Sequence, residues 1–332
     1  MMTFLMTNLR NILFLSLAVF LVNISLVQPA QAQAALSYFK GQHVEPAFEG
    51  WRRNDDGTVT FYFGYHNENW EEELDIPISD NNFFSPGGRD RGQPTHFLPR
   101  RNRFTFEVDM PVGWDESQDF SWTLISPNGE VRRAYGSLLT DYIINPMIIA
   151  SETGSLGAGI SSAESRANVA PVASVYGDSQ RSTRVGESIT IRTHIEDDGL
   201  PRPRRTSERQ IAADTEAGGV DGLDQAAIKR ARLLRRPGQA TVGKTNGLFL
   251  SWNVYRGRGK ASFDPPQSKP WEDTRTSGNS PWGVHWVPPP IPEDGNYEVE
   301  VTFDEPGEYV LWARADDGGL YHDTYVTVSV SP

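Results

Sequence analysis

Short runs of alternating apolar and polar residues, each closed by a turn-forming cluster, recur along most of the chain and point to a β-protein. Residues 58–65 (TVTFYFGY) follow Asn54-Asp55-Asp56-Gly57, a strong hairpin signal. Residues 103–109 (RFTFEVD) and 120–125 (FSWTLI) alternate in the same way. The second of these runs into Ser126-Pro127-Asn128-Gly129 and a return strand at 131–135. A strand roughly every 8–12 residues, with turns between, is the pattern of a sandwich or barrel. A second series starts near Val169, with strands predicted at 172–176, 187–195, 248–255, 260–263, 297–303, 308–315 and 325–330. The 332 residues suffice for two cores at about 150 residues per domain. The expectation is an all-β fold of two tandem sandwiches, residues 35–150 and 169–332. The small, polar, glycine-rich stretch 151–168 reads as a flexible linker between them.

Two long insertions interrupt the second series. Residues 199–246 hold no aromatic residue, and their central part, 201–238, carries a local charge of +4 in an acidic chain. Within it, residues 224–236 (DQAAIKRARLLRR) place Ala227, Ile228, Ala231 and Leu234 on one helical face. The same stretch presents Lys229, Arg230, Arg232, Arg235 and Arg236 to an acidic partner. Residues 264–296 hold eight prolines together with Trp271, Trp282, His285 and Trp286. These rings suit a platform for a sugar or a peptide; the competing reading is that they anchor a long loop to the sandwich. Following chain direction from strand to strand puts both insertions and the 316–323 loop at one end of the second sandwich. Short turns remain at the other end.

Residues 1–34 read as an export signal. Arg10 precedes an apolar run at 12–27, Gln28-Pro29 breaks it, and Ala30-Gln31-Ala32-Gln33-Ala34 offers A-x-A cleavage sites. A retained anchor is the rival, but the run is shorter than the ~20 residues of a span. The expected location is therefore secreted or periplasmic, with no stable membrane span once the signal is removed. Absence of cysteine excludes disulfides, thiolate metal sites and a cysteine nucleophile. The net charge is −12, and removing residues 1–34 takes away one arginine and no acid. That balance argues against nonspecific nucleic-acid binding.

No chemical motif has the context it needs. Residues 238–245 (GQATVGKT) match G-x-x-x-x-G-K-[ST], yet no strand precedes the loop and no helix follows, so ATP is not expected. The histidines show no H-E-x-x-H spacing and the serines no G-x-S-x-G elbow. His66 and His96, near Glu68 and Asp90, hold open a metal or acid–base site in the first sandwich. Glu196, Asp197 and Asp198, with Asp316, Asp317 and Asp323, are hard oxygen ligands of the type that bind calcium. The competing reading is that Asp-Asp-Gly makes a tight turn.

Residues 185–191 (VGESITI), 197–201 (DDGLP), 303–312 (FDEPGEYVLW), 315–318 (ADDG) and 324–330 (TYVTVSV) resemble PKD-like and related bacterial immunoglobulin-like domains. The resemblance implies an immunoglobulin-like sandwich in an exported protein, used for adhesion or as a spacer. Residues 63–69, 76–86 and 91–100 resemble a module of uncharacterised secreted bacterial proteins, which implies no activity. The sequence thus leads to a non-enzymatic binding protein, recognising a protein or polysaccharide of the cell envelope through loops of the second sandwich. The alternatives are a metal- or small-ligand-binding accessory subunit or enzyme built on the first module, and a passive spacer.

Overall fold

A computed structural model describes residues 39–69, 72–114, 117, 119–152, 163–202, 248–267 and 289–332. The Asn54–Gly57 turn forms as its residues require. Gly57 takes a positive φ of 84°, its N–H donates to the Asn54 carbonyl, and the Asp56 carboxylate accepts from Thr58. The turn joins β1 (Val44–Arg53) to β2 (Val59–Asn67), and β2 pairs next with β6 (Arg100–Met110). The facing sheet runs β4 (Asn82–Ser85), β7 (Ser121–Ile125), β8 (Val131–Tyr135), and a small pair is made by β3 (Leu74–Asp75) and β5 (His96–Phe97). In immunoglobulin lettering these sheets are A-B-E and C-F-G. Between them Phe61, Phe63, Phe84, Phe106, Phe120 and Trp122 form one aromatic core. Phe63 stacks on Phe106, and Trp122 stacks on Phe84 and meets Phe106 edge-on.

The second sandwich has one sheet in the order β13 (Ala261–Asp264), β14 (Asn296–Phe303), β11 (Ile189–Glu196), β9 (Val172–Val175). Its partner runs β10 (Gln180–Arg184), β16 (Tyr321–Ser331), β15 (Gly307–Asp316), β12 (Phe249–Arg256). This is D-E-B-A packed on A′-G-F-C, the only parallel strand pair among the described residues of this sandwich being β10 with β16. Two further details fit. Trp252, on the C strand, is fully buried, and Tyr309 forms a tyrosine corner, its hydroxyl donating to the Glu305 carbonyl at 3.0 Å. Gly257 must be glycine, since a Cβ there would sit 2.5 Å from the Tyr309 ring. The chain is therefore an all-β, immunoglobulin-like protein with two sandwiches.

Every strand predicted in the sequence forms, within a few residues at its ends. Four that were not predicted join the first sandwich (β1, β3, β4, β5), and one (β10) joins the second. Part of residues 151–168 is regular structure. Ala163–Ala167 is a short helix, and the following Asn168 donates to Asp317 at 3.1 Å.

The two sandwiches pack together, and residues Phe39–Pro332 form one body. On β12, Leu250, Trp252 and Val254 enter the second core, while Phe249, Ser251, Asn253 and Tyr255 on the opposite face are equally buried. On β15, Trp312, Arg314 and Asp316 likewise face away from their own core and are buried. Tyr255 and Trp312 instead belong to the aromatic core of the first sandwich. A strand buried on both faces needs a cover on each side, and the first sandwich supplies the second cover. Backbone and side chains lock the join: the Thr95 N–H donates to the Tyr255 carbonyl at 3.1 Å, and the Tyr255 hydroxyl to the Gly92 carbonyl at 2.5 Å. Arg256 forks onto Asp90 at 2.8 and 3.0 Å and gives its Nε–H to the Gln93 carbonyl.

Candidate functional site

Strand register fixes which loops share an end of the second sandwich. β11 leaves at Glu196, and β12 enters at Phe249, opposite Asp316 at the end of β15. β14 enters at Asn296, opposite His194, and β13 leaves at Asp264, opposite Glu300. The stems of both insertions and the turn from β15 to β16 therefore lie at the same end. This agrees with the expected convergence as far as the described residues reach. Gln267 fixes one stem, donating to the Tyr297 hydroxyl and accepting the Trp252 N–H. Beside it Pro265, Pro266, Pro289, Pro290, Pro292 and Tyr297 line a hollow of about 750 Å³.

One element differs from the expectation at this end. The 316–323 segment is a tight turn rather than a loop, because β16 already begins at Tyr321 and Asp323 pairs in register with Arg314. Asp323 thereby leaves the loop end and faces the first sandwich. The remaining acids mostly accept local N–H groups. Asp197 takes Gly199, Asp198 takes Leu200 and Val169, Asp316 takes Gly318, and Asp317 takes Gly319 and Leu320. Glu196 lies 3.4 Å from His194. Burial pushes the Asp317 carboxyl up to about 6 against these donors, with the Asp316 charge adding to the effect. Among the described residues no three His, Asp or Glu side chains gather in a way that could hold a metal ion. Trp271, Trp282, His285, Trp286, Lys229, Arg230, Arg232, Arg235, Arg236, the 224–236 pattern, the 238–245 motif and residues 1–34 all lie outside the described residues.

In the first module, His66 and His96 sit beside different carboxylates. Asp90 is spent on Arg256, and His66 sits 3.5 Å from Glu68, its pKa held down to about 4 by burial. His96, on β5, is buried opposite Asp75 of β3, with Nδ1 2.7 Å from Asp75 and Nε2 3.2 Å from Glu73. Burial alone would lower its pKa, but the two hydrogen bonds and the carboxylate charges outweigh it and raise the value to about 9. A histidine whose folded pKa exceeds its unfolded value contributes stability that is full below about pH 6.5 and lost as pH climbs through 9. The thermal midpoint is therefore expected to fall between pH 6.5 and 9 by the equivalent of a few kcal/mol, at about 1.4 kcal/mol per pKa unit. His96→Gln should flatten that slope. A wild-type midpoint constant across the window would contradict the clamp.

A second concavity was not anticipated from the sequence. It lies between the sandwiches, has a volume of about 540 Å³, and draws walls from both. Phe104, Phe106 and Glu107 come from β6, and Tyr255, Asp323 and Tyr325 from the second sandwich. Arg314 lies behind this lining, bound to two of its residues, Asp323 and Phe104. This guanidinium is 4% exposed, forks onto Asp323 at 2.8 Å on each arm, and donates to the Phe104 carbonyl at 2.6 Å and the Arg103 carbonyl at 3.2 Å. It also lies over the rings of Tyr321 and Trp312, 3.9 and 4.8 Å from their centroids. Phe104 is held at a positive φ of 48°, in a bulge where β6 slips register against β2. The signal for this site was present in residues 249–255 (FLSWNVY), where aromatic side chains fall on both faces of one strand.

No protein-family model and no curated protein matches the chain. Among solved structures it is similar to a tandem of titin Z1 and Z2 domains, at 11% identity over 86% of this chain and 100% of that one, TM-score 0.21. The D00-D0 domain of intimin aligns at 8% identity over 86% and 99%, TM-score 0.20. The fibronectin(III)-like modules of Clostridium thermocellum CbhA align at 8% over 86% and 94%, TM-score 0.21. With scores this low, the fold assignment rests on strand order and the tyrosine corner instead. No helix among the described residues is long and apolar enough to cross a membrane.

Proposed function

We propose that the chain is an exported, non-catalytic binding protein that takes a protein or polysaccharide of the cell envelope at the insertion-bearing end of its second sandwich. The observation that carries this reading is the convergence of both insertion stems and the Asp317–Leu320 turn at one end. Loops gathered on a rigid scaffold are where sandwich domains place recognition. The positive charge of residues 201–238, in a chain of net charge −12, favours an acidic partner. Residues 1–34, read as an export signal, supply the compartment.

The test compares mature protein 35–332 with a variant carrying alanine at Lys229, Arg230, Arg232, Arg235 and Arg236. Both are used as bait in envelope extract at low and high salt, with cross-linking to locate the contact. Wild type should retain a partner cross-linked near the insertion stems. The alanine variant should recover at least tenfold less and lose the salt dependence, with its thermal midpoint unchanged. Equal recovery by both baits, or cross-links confined to the first sandwich, would overturn the reading.

A further inference from the structure

The geometry points to the inter-sandwich cleft as a binding site for an alkylammonium group, seated on the rings of Tyr255 and Tyr325 against the Glu107 carboxylate. This is independent of what the loop end recognises.

Charge accounting around the cleft leads there. Arg256 is neutralised by its fork onto Asp90, and Asp323 by the fork from Arg314. Glu107 has no hydrogen bond and no ion pair among the described residues. Arg52, which lies over the Tyr62 ring, and Arg314 act on it through space, while Asp109 and Asp323 oppose them. Glu107 is near enough to Tyr321 and Tyr325 that its charge makes both hydroxyls harder to ionise. The cleft thus holds one carboxylate without a hydrogen-bonded or ion-paired partner among the described residues, beside aromatic walls.

The walls select the kind of cation. Tyr255 and Tyr325 meet edge-to-face at 5.3 Å, forming a corner of two rings, and Phe104, Phe106 and Val310 complete an apolar lining. An ammonium on an aliphatic stem matches all three features: the charge meets the carboxylate, the head lies against π-faces, and the stem replaces water on the apolar wall. A hydrated metal ion would gain nothing from the rings, and a neutral alcohol or sugar would leave the carboxylate without a counter-charge. Tyr325, 37% exposed, stands at the mouth, so a ligand reaches the corner without separating the sandwiches. The source is either a free polyamine or a lysine side chain of a partner.

Titration calorimetry on mature 35–332 tests this with 1,5-diaminopentane, a short end-capped peptide carrying one lysine with a free ε-ammonium, 1-pentanol and glucose. The diamine or the lysine peptide should bind, and the tighter of the two identifies the source. Glu107→Gln should weaken binding at least tenfold with no change in thermal midpoint, and Tyr325→Leu should weaken it several-fold. Glu187→Gln, which removes an exposed acid elsewhere, should leave binding unchanged. Binding of pentanol or glucose as tight as the diamine, equal loss in the Glu187 variant, unaltered binding in Glu107→Gln, or no binding by either amine would overturn the assignment.

Discussion

Replacing Arg314 with alanine is expected to destabilise the whole chain by about 3–5 kcal/mol, the usual cost of stranding one partner of a buried ion pair. The guanidinium holds Asp323 within its own sheet, accepts the faces of two aromatic rings, and gives two of its N–H groups to carbonyls of the other sandwich. Its loss leaves the Asp323 carboxylate at 15% exposure with no cation, and the Phe104 carbonyl without its donor. Combining Arg314→Met with Asp323→Asn removes both charges at once and should recover part of the loss. Denaturant unfolding measures each variant. A loss below about 1 kcal/mol for Arg314→Ala would mean the interface does not depend on this residue.

Trp122→Ala should cost a similar amount, roughly 3–5 kcal/mol, for a different reason. The indole is fully buried at the centre of the first core, stacked 5.9 Å from Phe84 at 10° and meeting Phe106 at 5.0 Å and 88°. Alanine leaves a cavity that neighbouring rings, packed against one another, cannot collapse to fill. It also strands Asn82, whose Oδ1 accepts the indole N–H at 2.9 Å while its Nδ2 ties the Ile76 and Pro94 carbonyls. Trp122→Phe keeps most of the volume but not the donor, so it should cost only about 1–3 kcal/mol. Equal effects of the two substitutions would assign the whole contribution to the hydrogen bond.

Local patterning made most of the architecture legible. Strands such as β14 and β16, buried on one side and wet on the other, alternate cleanly, and their ends coincide with Gly, Pro or Asp clusters. Counting strand directions was then enough to place the insertion stems at one end. β1 escaped because a bulge between Phe48 and Gly50 breaks its alternation, and β10 because Gln180 to Arg184 is wholly polar on a sheet edge. The 321–323 stretch read as loop because Tyr-His-Asp looks solvated, whereas Tyr321 and Asp323 are both engaged by Arg314 from the neighbouring strand.

The docking of the sandwiches was hidden for a more general reason. Ser251, Asn253, Arg314 and Asp316 look like the water-facing side of a half-buried sheet, and only a partner more than a hundred residues away buries them. Polar residues report their burial only through such distant partners. The aromatic residues at positions 249, 255 and 312, on that same polar face, were the one local sign. The cleft was invisible on the same account, since Glu107 and Tyr325 share a wall only after docking.

Whether the two sandwiches form one rigid body is read most directly by native-state hydrogen exchange at Thr95, whose N–H crosses the interface to the Tyr255 carbonyl. If the docking holds, this amide exchanges only through global unfolding, with the same denaturant dependence as core amides such as those of Phe63 and Val328. Exchange at Thr95 orders of magnitude faster than at those cores, and insensitive to denaturant, would show the sandwiches separating freely and contradict the interface on which the cleft depends.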